Sequence, residues 1–208
     1  MKPKGTLYII AAASGTGKTS LAESLAETMP NIKISISHTT RPIRANESKD
    51  KHYYFISKEE FESLITENAF LEYAEVFGHY YGTSRSLVEK ELDAGVDVVL
   101  DIDWQGARQV KEQFDSAISI FLLPPSRKEL YSRLKRRNSD TDEVINKRLA
   151  TASSEIYHYK EFDIVVINDK FESALLDLQA IVRCQRLKLK NQEIKYRDLL
   201  DELIGERD

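Results

Sequence analysis

Short, nearly unbroken apolar runs recur along this chain, separated by stretches in which apolar residues return every three to four positions. The first run, residues 7–12 (Leu-Tyr-Ile-Ile-Ala-Ala), is partly β-branched and uncharged, the pattern of a strand covered on both faces. A loop of small residues follows. Over residues 20–29, Leu21, Leu25 and Met29 share one helical face, and Pro30 stops that helix. Further strands are predicted at 32–37, 96–102, 118–123 and 164–167. A helical pattern follows at 105–114, and another begins after residue 168, with Leu175, Leu178, Ile181 and Val182 on one face. From 174 to 204 the chain reads as amphipathic helix broken near Asn191, its apolar stripe suited to packing on a sheet or to a subunit contact. Strands alternating with helices predict an α/β protein built on a parallel sheet with right-handed crossovers.

Two stretches break the alternation. Residues 35–87 are rich in Tyr and Phe and change period quickly, and within them Ser57, Lys58, Glu59 and Glu60 form a capping box that opens a helix to Thr66. Residues 126–159 begin with a dense basic run (Arg127, Lys128, Arg133, Lys135, Arg136, Arg137), then turn at Asn138-Ser139-Asp140 into a second helical pattern. The expectation is one sheet with two inserted subdomains in a single domain of 208 residues. Composition narrows the class. A net charge of −4 argues against nucleic-acid binding driven by bulk charge. The one cysteine, Cys184, excludes an internal disulfide and fits a reducing cytosol. No apolar run is long enough for a membrane span and no signal peptide is visible, so a cytoplasmic location away from membranes is expected. His38, His52, His79 and His158 lack metal-ligand spacing.

The chemistry begins in the loop after the first strand. Ala12-Ala13-Ser14-Gly15-Thr16-Gly17-Lys18-Thr19 matches the phosphate-loop pattern G-x-x-x-x-G-K-[ST] at every fixed position but the first, where Ala12 replaces Gly. Gly15 and Gly17 free the backbone to turn its N–H groups inward around a polyphosphate. The following helix adds positive charge at its N-terminus. Lys18 is placed to reach the β- and γ-phosphates, and the Thr19 hydroxyl to ligate Mg²⁺. Asp101, at the end of an apolar strand, would emerge beside this loop and hold the metal shell through water, or else cap the helix near Trp104; Asp103 is available to divide those tasks.

A second anion site is suggested further on. Arg41 and Arg44 leave a strand three residues apart, and guanidinium forks suit a phosphate monoester. Tyr53 and Tyr81 can donate phenolic hydrogen bonds to the same phosphate. Glu72, in the apolar setting of Phe70, Leu71 and Tyr73, can accept from guanine N1–H and N2–H₂, whereas adenine has no donor at N1. Taken singly, these residues also suit surface charge, core aromatics and an exposed strand position.

Together the motifs resemble those of guanylate kinases, from Gly5 to the C-terminal helices. The likeness rests on Ser14-Gly15-Thr16-Gly17-Lys18, on Ser37-His38-Thr39-Thr40-Arg41 with Arg44, and on Glu72 followed by Gly78-His79-Tyr80-Tyr81-Gly82-Thr83. It continues through Asp101-Ile102-Asp103-Trp104-Gln105-Gly106, Asn146-Lys147-Arg148-Leu149 and Ile167-Asn168-Asp169. The resemblance implies an ATP:GMP phosphotransferase using Mg²⁺, with a three-layer phosphate-loop core (1–34, 88–125, 160–208), a mixed α/β GMP-binding subdomain (35–87) and a helical lid (126–159). It implies that Ser37, Glu72, Thr83 and Asp103 hold the guanine, and that Arg41, Arg44, Tyr53 and Tyr81 hold its phosphate. Arg137 and Arg148 would join Lys18 and Arg41 on the transferred phosphoryl group, and Asn168 and Asp169 would lie near the ATP base unless they cap the next helix. ATP and GMP or dGMP are the expected partners, as a monomer or a homo-oligomer. Two rival readings are a non-catalytic protein-binding module of this type, opposed by the intact Lys18, Thr19, Arg41 and Asp101, and a phosphate-loop kinase of another metabolite, opposed by Glu72.

Overall fold

The computed structural model describes residues 2–44, 47–48, 52–76, 78–136 and 142–205, with backbone alone at 136 and 142–148. The chain begins β1 (Leu7–Ala12), α1 (Lys18–Thr28), β2 (Ile32–Ile34), β3 (His38–Thr39), β4 (Tyr54–Phe55), α2 (Lys58–Thr66), β5 (Phe70–Val76), β6 (His79–Ser84) and α3 (Arg85–Asp93). It continues with β7 (Asp97–Asp101), α4 (Trp104–Gln113), β8 (Ile118–Leu123), α5 (Arg127–Arg136), α6 (Asp142–Tyr157), β9 (Ile164–Ile167), α7 (Phe171–Arg186), α8 (Leu189–Lys195) and α9 (Arg197–Ile204). A 3₁₀ turn, His158–Glu161, returns α6 to the sheet.

β1 is central because every one of its side chains can be buried. In the five-stranded sheet, ordered β2-β7-β1-β8-β9 with all pairs parallel, it lies between β7 and β8. Tyr8 and Ile10 face Leu21 and Leu25 of α1 and Leu178 and Val182 of α7. Leu7 and Ile9 face Val88, Leu92 and Val110 on the opposite side. An unbroken apolar run therefore follows from helices on both faces. Each fully buried Ile contributes on the order of 2 kcal/mol.

The second sheet, ordered β4-β3-β6-β5, is mixed: β3 pairs parallel to β4 and antiparallel to β6, and β5 pairs antiparallel to β6. α2 covers it through the fully buried Phe61, whose ring stacks on Phe70 at 4.5 Å and on Tyr80 at 5.3 Å. The expected cap is present: Ser57 Oγ accepts from Glu60 N at 3.1 Å. The α5–α6 pair packs Leu130, Leu134 and Ala152 against Ala13 of the first loop. Its far end is pinned to α4, where His158 stacks on Trp104 at 3.6 Å and Arg108 pairs with Glu161 at 2.6 and 2.7 Å.

Two element boundaries differ from the sequence expectation by three or more residues. The strand predicted at 32–37 ends at Ile34, after which only Ser35 N still reaches the sheet, donating to Val99 O at 2.9 Å. The C-terminal helix breaks at 187–188 and at Tyr196, with Asn191 inside α8. Asn191 instead turns back to cap α7: its Nδ2 donates to Gln185 O at 2.9 Å, and Gln192 Nε2 donates to Arg186 O at 2.8 Å. Side chains of one helix thus satisfy the last carbonyls of another.

Candidate active site

The small-residue loop lies at the carboxyl edge of β1 and runs into α1, whose first residue is Lys18. Gly15 and Gly17 hold φ of +88° and +95°, a region that costs a side chain steric strain. Gly17 is required twice over, since a Cβ there would meet Asn168 Nδ2 at 2.8 Å. Ala12 needs no such freedom, because it is the last residue of an extended strand.

Parallel pairing of β1 with β7 sets Ile10 opposite Asp101, which carries the carboxylate to the mouth of the loop. Asp101 Oδ2 accepts from Thr19 Oγ1 at 2.8 Å, and its other oxygen pairs with Lys18 Nζ. Lys18 Nζ also donates to Ile102 O at 2.7 Å. A hydroxyl and a carboxylate side by side form a hard oxygen donor set. Among the described residues no group of three or more His, Cys, Asp or Glu could hold a metal ion. The Thr19 hydroxyl and Asp101 carboxylate alone still fit Mg²⁺, which keeps most of its waters and takes further ligands from phosphate. Asp103, meanwhile, caps α4: its Oδ1 accepts from Gly106 N at 2.9 Å. Asp101 thus stands beside Thr19 and Lys18, while Asp103 takes the cap position.

The second cluster forms where β5, β6 and α4 meet. Glu72 on β5 is 6% exposed and lies opposite Thr83, which is 1% exposed. Thr83 Oγ1 donates to Glu72 Oε1 at 2.6 Å. The first turn of α4 closes over the carboxylate, so that a Cβ on Gly106 would meet Oε2 at 2.9 Å. Burial pushes the Glu72 carboxyl up to about 7, opposed by the Thr83 hydrogen bond and reinforced by Asp103. A carboxylate held so far from bulk water demands strong donors.

Arg41 lies in a neighbouring cluster of aromatic and acidic side chains. Its Nη2 donates to Glu47 Oε1 at 2.6 Å and its Nη1 to Pro42 O at 2.9 Å, with the guanidinium over the rings of Tyr53 and Phe55. Tyr53 and Tyr81 meet edge to face with centroids 5.9 Å apart. Burial raises the Tyr53 phenol, with Tyr81 and Asp101 adding to the shift, so this phenol also feels the carboxylate of the phosphate-loop side. Ser37 is half-buried at the start of β3, and Arg44 is exposed with its backbone N donating to Glu47 Oε2 at 2.9 Å.

Asn168 is 4% exposed at the end of β9 and serves the loop itself. Its Nδ2 donates to Thr16 O at 2.7 Å, and the cap of α7 is Lys170, so the capping alternative does not hold for Asn168. Asp169 is exposed beside it. Arg137 and the side chain of Arg148 lie outside the described residues.

Three further residues contribute contacts here. Glu47 bridges Arg41 and Arg44. Arg133 ties α5 to the loop, donating to Asn168 O at 3.0 Å and Thr16 O at 3.4 Å. Glu155 of α6 accepts from Ser14 N at 3.2 Å. Of these, Arg133 stands in the basic run of the sequence, and Glu47 and Glu155 were not predicted.

Comparison with known proteins finds one family along nearly the whole chain. The guanylate kinase family model matches residues 4–185. The chain is 56% identical over 205 residues to the guanylate kinase of Vibrio parahaemolyticus, covering 98% of this chain and 99% of that protein. It is 54% identical to that of Vibrio cholerae over the same shares. The crystal structure of guanylate kinase from Anaplasma phagocytophilum superposes with a TM-score of 0.77 at 33% identity, covering 100% of this chain and 99% of that one.

Proposed function

The chain belongs to the guanylate kinase family and has guanylate kinase activity, and on that premise we propose that it transfers the γ-phosphoryl group of ATP reversibly to GMP, and to dGMP, giving ADP and GDP. The buried carboxylate of Glu72 beside Thr83 and Asp103 is the observation that supports guanine as the base. Its oxygens accept from N1–H and N2–H₂, and an adenine would leave the buried carboxylate with the Thr83 hydroxyl but neither of those base donors. Ser37, Thr83 and Asp103 complete the base contacts. Arg41, Arg44, Tyr53 and Tyr81 take the acceptor phosphate, with Glu47 holding Arg41 in place.

On the donor side, Ala12, Ala13, Ser14, Gly15, Thr16, Gly17, Lys18 and Thr19 wrap the triphosphate with N–H groups and the Lys18 ammonium. The Asn168 Nδ2 hydrogen bond to Thr16 O leaves its Oδ1 and the Asp169 carboxylate to accept from the adenine amino group. Thr19 and Asp101 would hold Mg²⁺, which when bound supplies charge neutralisation across the β- and γ-phosphates. Phosphoryl transfer needs positioning and charge stabilisation more than covalent help. Lys18, Arg41, Arg137 and Arg148 are the cations assigned to that work. Residues 1–34, 88–125 and 160–208 act as the core, 35–87 as the GMP-binding part and 126–159 as a lid that excludes water.

No helix among the described residues is long and apolar enough to cross a membrane, and the proposed setting is cytoplasmic purine nucleotide metabolism. Offering GMP, AMP, UMP and CMP with Mg-ATP in a coupled assay tests the assignment. Turnover with GMP alone is expected; equal turnover with AMP would refute the base assignment.

A further inference from the structure

The run of loop N–H groups ending at Lys18 and Thr19 includes that of Ser14, which already donates to a carboxylate, Glu155 Oε2, at 3.2 Å. Glu155 is 141 residues away in sequence, on α6. It reaches the loop on a packed scaffold. Leu130 and Leu134 of α5 pack with Ala152 and Ile156 of α6 and close on Ala13. They also cover Gly15, where a Cβ would meet Leu134 Cδ2 at 2.9 Å. Arg133 fastens the same helix pair to the carbonyls of Thr16 and Asn168. Glu155 itself is half-buried.

A backbone N–H has one hydrogen, so a carboxylate oxygen and a phosphate oxygen cannot both accept it at full strength. Two anions at that distance also repel each other. We infer that Glu155 is an internal competitor for the phosphate loop, which weakens nucleotide binding and has to leave Ser14 before the loop closes on a phosphate chain. Nucleotide entry and withdrawal of the Glu155 side chain from Ser14 are then one event, and the affinity of the donor site is set partly from α6. The inference rests on the loop being the triphosphate site, as proposed above.

Calorimetric titration with ADP, without GMP, tests it in the full chain carrying Glu155→Gln, Glu155→Ala, Glu155→Asp or Lys18→Met. Losing one competing hydrogen bond to a charged acceptor should tighten ADP binding about 3- to 10-fold in the Gln and Ala variants. Asp keeps the charge but is one methylene short of Ser14, and should fall between these and the wild type. Damage to the fold would weaken binding, so tightening cannot arise from a merely structural role. Unchanged or weaker ADP binding in both the Gln and Ala variants would overturn the inference while leaving the loop assignment intact. Unchanged ADP binding in Lys18→Met would instead overturn the loop assignment itself.

Discussion

At pH 8 the Glu72 carboxyl, pushed up to about 7 by burial, is mostly ionised, and at pH 6 it is mostly protonated. Guanine offers two donors, so on the proposed base contact the ionised form is the one that binds it. The KM for GMP should therefore rise about tenfold per pH unit below 7, while the KM for ATP follows no such slope; steady-state titration of each substrate at pH 6, 7 and 8 checks this. The same shift has a cost in stability. The folded protein holds this proton more tightly than the unfolded chain, so the contribution of Glu72 is favourable below about 4.5 and is lost as the pH rises through about 7. Glu72→Gln keeps the Thr83 hydrogen bond and removes the charge. It should be more stable than wild type at pH 8 by up to about 3 kcal/mol, with no advantage at pH 4, measured by urea unfolding. Residues of this kind were legible in the sequence because their chemistry is unusual for their surroundings: a glutamate among apolar neighbours, paired arginines, a lysine after glycines. Glu155 was not legible, because an acid on an amphipathic helix looks like solvent-facing charge until α5 and α6 are packed against the loop.

Apolar strands of the parallel sheet could be read almost to the residue. The strands at 118–123 and 164–167 are found as Ile118–Leu123 and Ile164–Ile167, since apolar runs of that length leave few alternatives. The two-residue strands β3 and β4 were not predicted, because their pairing depends on distant partners and not on local pattern. The C-terminal break point shifted for a related reason, with Asn191 and Gln192 recruited as caps by the carbonyls of α7. At this scale the loop between β1 and α1 is the most constrained segment. Gly17→Ala forces a Cβ into a φ of +95° and against Asn168 Nδ2 at 2.8 Å. It should cost about 1–3 kcal/mol of stability by thermal or urea unfolding and sharply weaken ADP binding.

The five-stranded sheet brings Lys18, Asp101 and Asn168 to one edge, and the second sheet with α4 brings Glu72, Thr83 and Asp103 beside them. Two anionic substrates meeting there would need further cations, and the basic residues of Arg127–Arg136 belong to the α5–α6 arm that rests on the loop. GMP together with an unreactive ATP analogue should therefore draw the arm and the second sheet toward the core and reduce the radius of gyration in solution scattering; unchanged dimensions with both sites filled would exclude closure. The central claim concerns the base and is tested most directly by kcat/KM for GMP and for AMP with Mg-ATP, in wild type and Glu72→Gln side by side. The expected result is a wild type that uses GMP and rejects AMP, and a variant at least about 100-fold poorer with GMP whose KM for ATP is unchanged. A variant that still phosphorylates GMP at near wild-type efficiency, with AMP still rejected, would show that Glu72 does not select the base.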